Sequence, residues 1–326
     1  MRRRELITLL CSLALWPLAA RAQQSNKVYR IGFLGVSRSA PGTGALYAEF
    51  LDELRENGFS EGRNIVVEYR RSDDPRGVAL AGADLVRSQP DVIVAQGPEA
   101  VLQAVIRANA GIPIVLQAIN FDPMERGYVA TLAHPGGNIT GVFFRELELA
   151  AKKVQLLAQA FPERTTLGIL WDALVADEFT AAERAAKSLR LELRALKLEN
   201  PPYDFNAAFG SIARSGAQML LVLSSPLFAI HRRSIAELAL QYRLPTMFIF
   251  KSYVDAGGLM SYGVDQVAIY RRTADFVVKI LEGAKAADLP LEQATKFQLA
   301  INMKTARALG VEIPQSFLAR ADEVIE

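Results

Sequence analysis

Cysteine is almost missing from this chain: Cys11 is the only one among 326 residues. A single thiol leaves no internal disulfide and no thiolate cage for zinc or an iron–sulfur cluster. Histidine is nearly as scarce, with only His134 and His231, far apart in the sequence. His134, beside Pro135, is expected to be a loop residue bonding locally, and His231, beside Arg232 and Arg233, a surface residue. No H-E-x-x-H pair, G-x-S-x-G elbow, G-x-x-x-x-G-K-[ST] loop or dinucleotide fingerprint occurs. Without a nucleophile–base pair or a ligand set, the chain reads as a binder and not an enzyme, with no catalytic residue, no metal and no cofactor. Charge is also balanced, with 37 Lys and Arg against 35 Asp and Glu, which leaves no basic field for nucleic acid. Beyond the first residues, no run approaches the roughly 18 apolar residues of a membrane span.

The N-terminus is the exception. Arg2-Arg3-Arg4 precedes the apolar stretch Leu6 to Leu18, and Ala20-Arg21-Ala22 is a small-x-small cleavage site. That order is a secretory signal peptide over residues 1–22. Arg3-Arg4-Glu5-Leu6-Ile7 also resembles the twin-arginine export pattern. Cys11 falls inside the signal, and Leu10 before it is too large for a lipoprotein anchor site. Cleavage removes Arg2, Arg3, Arg4, Arg21 and Glu5, so the mature chain carries a net charge near −1. A periplasmic protein of this size can bury two ordinary cores without disulfide staples.

The mature sequence alternates strand and helix. Lys27 to Val36 reads as a strand, Ala45 to Asn57 as a helix closed by Gly58, and Ile65 to Tyr69 as the next strand. Asp73-Asp74-Pro75 opens a helix with an acidic cap and an early proline. Asp91 to Ala95 and Ile112 to Ile119 are unbroken apolar runs, as parallel strands covered on both faces require. His134-Pro135-Gly136-Gly137-Asn138 then turns into Ile139 to Phe144, where the chain is expected to leave one lobe for a second. There Leu147, Ala151, Val154, Ala158 and Phe161 mark one helix face, and strands are expected at 166–171, 191–198, 219–223 and 246–250, with a helix at 229–242. The expected fold is α/β, with lobe 1 over 28–141 plus about 266–290 and lobe 2 over 142–265 plus about 296–326. Thr140 to Phe143 and Tyr262 to Asp265 are the expected hinge strands.

In open α/β sheets, ligands bind outside the carboxyl ends of the strands. The loops there contain Ser37, Gly97, Pro98, Asn120, Phe121, Asp122, Phe144, Asp172, Ser225, Pro226, Phe228 and Phe250, the candidate ligand contacts. Hydroxyls and backbone N–H groups at helix starts would meet an anionic end of a ligand, and aromatic rings its apolar part. Each serine and aspartate could equally be a helix cap, and each phenylalanine lobe core.

Several stretches carry a family resemblance: Val28-Tyr29-Arg30-Ile31-Gly32-Phe33-Leu34, Asp91-Val92-Ile93-Val94, His134-Pro135-Gly136-Gly137-Asn138-Ile139-Thr140-Gly141, Ala256-Gly257-Gly258-Leu259-Met260-Ser261-Tyr262-Gly263 and Ala319-Arg320-Ala321-Asp322-Glu323. They resemble the tryptophan/tyrosine-type substrate-binding proteins of ABC transporters over essentially the whole mature chain. The resemblance implies a type I periplasmic binding protein: two doubly wound parallel-sheet lobes joined by a three-strand hinge, closing on a small molecule. It also implies a monomer that delivers ligand to an ABC permease in the inner membrane, or alternatively a ligand-sensing subunit of a membrane receptor. Gly97-Pro98-Glu99 stands where relatives often have G-T-P, and Phe143-Phe144-Arg145 where small or hydroxyl residues are common. These departures point to a small organic acid, apolar or aromatic, beside the amino-acid-like ligands that the family implies.

The signal reading is tested directly. A fusion of residues 1–26 to a folded reporter is expected to be exported and cut after Ala22, as N-terminal sequencing of the product would show.

Overall fold

The computed structural model describes residues 27–35, 44–72, 75–108 and 111–326. The expected signal peptide, Ser37 and the Asp73-Asp74 cap lie outside the described residues. Aliphatic runs without polar alternation form the inner strands, because a strand covered by helices on both faces has no side facing water. The first sheet is built from β1 (Tyr29–Gly35), β2 (Ile65–Arg71), β3 (Val92–Gly97), β4 (Ile114–Ile119), β5 (Ile139–Phe144) and a late arrival, β11 (Leu291–Gln293). Their order is β11-β5-β4-β3-β1-β2, and neighbouring strands run parallel throughout. Three helices connect these strands or lead between them: α1 (Ala45–Glu56), α2 (Pro75–Arg87) and α3 (Glu99–Ala108).

The second sheet contains β6 (Thr166–Asp172), β7 (Glu192–Leu198), β8 (Met219–Val222), β9 (Thr246–Phe248), β10 (Met260–Val264), β12 (Phe297–Asn302) and β13 (Glu323–Ile325), in the order β13-β12-β10-β9-β8-β6-β7. Only the β10–β12 pair is antiparallel, because β12 comes directly across from the first sheet without a crossover helix. The helices of this half are α4 (Glu146–Ala160), α5 (Ala176–Ser188), α6 (Phe205–Arg214), α7 (Pro226–Ile230), α8 (Arg232–Gln241) and α9 (Lys251–Asp255). They are followed by α10 (Gln266–Leu281), α11 (Met303–Leu309) and α12 (Gln315–Leu318). The single helix expected at 229–242 is divided at His231, which caps both α7 and α8.

Each sheet is buried on both faces. Leu34, Ile93, Leu116 and Phe143 point into one core of the first lobe, and Ile31, Val94, Val115 and Val142 into the other. Val277, Val278 and Leu281 of α10 also belong to that second core, so this helix covers the first sheet although the chain enters it from the second. In the second lobe, α4 and α5 cover one face and α6 and α8 the other. The lobes are thus joined at three points: β5 to α4, β10 to α10, and β11 to β12.

Two details differ from the sequence expectations. The cut between Gly141 and Val142 passes through β5, which stays in register with β4 as far as Phe144 opposite Ile119. Thr140 to Phe143 is therefore sheet, and the chain crosses over at Arg145; the apolar run continues because both faces of β5 are covered. The buried face of α4 is also rotated from the expected one. It carries Ala150, Lys153, Val154, Leu157 and Ala160, whereas Leu147, Ala151 and Ala158 are only half-buried. Lys153 is the reason, since a lysine among apolar neighbours reads as a solvent position.

Gly141 has φ +130°, and a Cβ built on it would lie 2.1 Å from the Leu116 carbonyl oxygen. Both conditions exclude a side chain. Gly141→Ala is expected to cost more than about 2 kcal/mol in urea unfolding, the scale of one forced backbone outlier.

Candidate functional site

The carboxyl ends of the two sheets face each other across the lobe junction. At the end of β4, Asn120 is exposed and holds a left-handed φ of +64°. Asparagine tolerates this region because its short side chain bonds locally. Here the side chain reaches the other lobe: Asn120 Nδ2 donates to Ser224 Oγ at 3.1 Å, just beyond β8. Its Oδ1 accepts from the Glu146 N–H at 2.9 Å, and its own N–H donates to the Phe144 carbonyl at 3.0 Å. Asn120 thus brackets the β5–α4 crossing on both sides of Arg145. Arg145 itself turns back to Glu125 of the first lobe, with Nη1 3.0 Å from Oε1.

The other predicted contacts fall into three groups. Gly97 ends β3 with φ +144°, and Pro98, half-buried, starts the turn into α3 as its carbonyl accepts from the Val101 N–H. These two and Asn120 stand at the strand ends of the first lobe. Phe250 is half-buried at the start of α9, edge-on to Phe144 with ring centroids 6.4 Å apart. Pro226 is exposed at the start of α7. These two stand on the second-lobe side of the junction.

The remaining positions are occupied structurally. Phe121 and Phe228 are lobe core, a correction to their placement as cleft rings. Phe121 packs with Val129 and Leu102, and Phe228 lies edge-on to Phe205 and Tyr203. Aromatic burial of this kind outweighs a half-exposed position at a loop. Phe144 is also buried, against Val264 and Ile269 at the junction of the lobes. Asp122 Oδ1 accepts from the backbone N–H groups of Met124 and Glu125. Asp172 is fully buried and accepts from the Leu174 N–H, from Tyr203 Oη at 3.2 Å, and from Ser225 Oγ. Burial and the nearby Asp172 push the Tyr203 hydroxyl up to about 12. Ser225 in turn accepts from the Leu227 N–H at 3.2 Å, capping α7. Buried, and with its one hydrogen given to Asp172, this hydroxyl has no donor left for the cleft.

Sequence reasoning missed the most highly charged group at the junction. Lys153 is fully buried, with Nζ 2.7 Å from Glu146 Oε2 and 3.2 Å from Glu178 Oε1. Glu178 Oε2 receives both hydrogens of Ser224, from N at 3.1 Å and from Oγ at 2.5 Å. Burial lowers the affinity of Lys153 for its proton, but the two carboxyl groups outweigh it and hold its pKa above the usual lysine value. Burial raises the Glu146 pKa, and the Glu178 charge adds to this, while Lys153 opposes both. One signal was available: Glu146 and Lys153 are seven residues apart, two helical turns, which places them on one face.

The comparisons with known proteins agree with this geometry. The family model for ABC transporter substrate binding protein matches residues 36–325. The chain belongs to this family. Its members are substrate-binding proteins rather than enzymes, periplasmic or extracellular, and no described helix here is long and apolar enough to cross a membrane. The chain is similar to the tyrosine-binding protein of Clostridioides difficile (strain R20291), 23% identical over 269 residues, covering 81% of this chain and 76% of the relative. Among solved structures, a conserved domain protein from Vibrio cholerae superposes with a TM-score of 0.78 at 26% identity, over 91% of this chain and 100% of that one. An ABC domain from Streptococcus pneumoniae in complex with L-Trp gives a TM-score of 0.76 at 25% identity, over 92% and 100%. Type I periplasmic binding architecture, as the family resemblance implied, is the fold of this family member.

Removing one partner from a buried ion cluster leaves the others uncompensated. Lys153→Met is expected to lower unfolding stability by about 3–5 kcal/mol in a urea titration.

Proposed function

We propose that this protein is the exported capture component of an ABC transporter for a small amino-acid-like or organic acid ligand with an apolar or aromatic end. The observation that carries the reading is the convergence of both sheets' carboxyl ends on one junction, where Asn120 of the first lobe meets Ser224 of the second. Two lobes joined at three points close by bending at the crossings, here Arg145, Asp265 and the segment 294–296. The resemblance to a tyrosine-binding protein and to a structure holding L-Trp supports an aromatic amino acid as the first ligand to test.

In this reading Gly97, Pro98 and Asn120 line the first lobe, and Pro226 and Phe250 the second, as a monomer that hands its ligand to a permease. Phe250 offers the face for an apolar group, and the exposed Asn120 amide carries a second Nδ2 hydrogen beyond the one given to Ser224. Burying Phe144 beneath Phe250 keeps that ring in place.

A thermal-shift screen of the mature protein against aromatic amino acids, aromatic acids and short aliphatic acids tests the reading. At a hundredfold excess over its Kd, a true ligand stabilises the fold by about 2.7 kcal/mol, a rise of several degrees in Tm without any product. A screen in which none of these classes shifts the Tm would remove the proposed ligand range.

A further inference from the structure

Asn120, Glu146, Lys153, Glu178 and Ser224 form a closed ring of hydrogen bonds. It runs from Asn120 Oδ1 to the Glu146 N–H, from Glu146 Oε2 to Lys153 Nζ, on to Glu178 Oε1, from Oε2 to Ser224 Oγ, and back to Asn120 Nδ2. Asn120 alone belongs to the first sheet; the other members stand on α4, α5 and the end of β8. We propose that this ring is an interlobe latch, with Glu178 as the positioning residue that makes Ser224 an acceptor for Asn120 across the junction.

The polarity of the ring follows from what each group has to offer. A serine hydroxyl has one hydrogen, and that of Ser224 goes to Glu178 at 2.5 Å. Only lone pairs remain for the first lobe, so the partner must be a donor. The Glu146 N–H, at 2.9 Å, already takes Asn120 Oδ1, which turns Nδ2 towards Ser224. Lys153 fixes the far end by holding Glu178 Oε1, and the backbone N–H of Ser224 binds the same carboxylate oxygen as its hydroxyl. No member is free to reverse its bond without breaking another.

Burial divides the ring into a fixed part and a movable part. Lys153, Glu146, Glu178 and Ser224 are 0%, 1%, 4% and 7% exposed, all within the second lobe, and Asn120 is exposed. The ion cluster therefore remains assembled whichever way the lobes stand. The Glu146–Asn120 bond lies at the crossing itself and moves little. Separation of the lobes then breaks one bond of the ring, Asn120 to Ser224. One neutral hydrogen bond is worth about fivefold in a population ratio, enough to bias the ligand-free protein towards closure and weak enough for thermal opening.

The test reads the separation of the lobes in the absence of ligand, so failure to find a solute leaves it standing. Because the only cysteine, Cys11, precedes residue 23, spin labels can be placed at Met124→Cys and Leu174→Cys in the mature protein. Both positions are exposed, at 43% and 66%, one in each lobe. Asn120→Asp keeps the shape, the left-handed backbone and the Oδ1 acceptor, but sets a carboxylate oxygen against the Ser224 lone pairs. It is expected to raise the open-to-closed ratio at least about fivefold in double electron–electron resonance. Ser224→Ala should do the same, as should Glu178→Gln. Glu178→Gln combined with Asn120→Asp should open the protein no further than Asn120→Asp alone, since both break the same bond. An unchanged distance distribution in Asn120→Asp and Ser224→Ala overturns the latch. Additive opening in the double variant overturns the positioning role of Glu178. Should Glu178→Gln fail to fold, the exposed Asn120→Asp and the small change Ser224→Ala still decide whether the latch exists.

Discussion

An ammonium group buried out of reach of solvent has to be answered by carboxylates, and the answer to Lys153 draws together the parts of the molecule that meet at the junction. Glu146 opens the helix that follows the first crossing, Glu178 lies on the helix after β6, and through Ser224 the cluster reaches the end of β8. Burying two carboxyl groups and an amine is costly, and replacing them with apolar residues often stabilises a core. What the arrangement supplies is direction. Each group is held with one orientation, so the polar face towards the first lobe has a fixed pattern of donors and acceptors.

Most of the architecture was legible in the sequence. Unbroken runs such as Val92–Ala95 and Met219–Leu223 fit only strands covered on both sides, and the alternation with helices fixed a doubly wound pair of lobes. Boundaries within continuous apolar stretches were not legible. Ile139 to Phe144 is buried throughout because β5 is covered on both faces, and the run Val142 to Phe144 contains nothing that marks where the sheet ends and the crossing begins. The return of α10 and β11 to the first sheet could be expected in outline, yet the three residues of β11 are too few to show a pattern.

The site was less legible, for a physical reason. At a strand end, the same small set of residues serves as cap, core and contact, and only packing separates these roles. Asp172 and Ser225 satisfy each other, Asp122 satisfies two backbone N–H groups, and Phe121 and Phe228 complete cores. Asn120 is the polar residue among them that reaches across. Its signal was positional, a residue able to adopt φ near +60° at the end of an inner strand. Lys153 was hidden by the opposite error, since periodicity treats every lysine as a solvent position.

The first lobe is not contiguous in the chain. Its sheet lacks β11, and one of its faces lacks α10, until residues 266–293 have been made. Val277, Val278, Phe276 and Leu281 are what Ile31, Val94 and Val115 bury against. A nascent chain emerging from its N-terminus therefore exposes a half-covered apolar sheet through most of synthesis. Native folding of that lobe waits for the C-terminal quarter, after strands β6 to β10 of the other lobe have already been made.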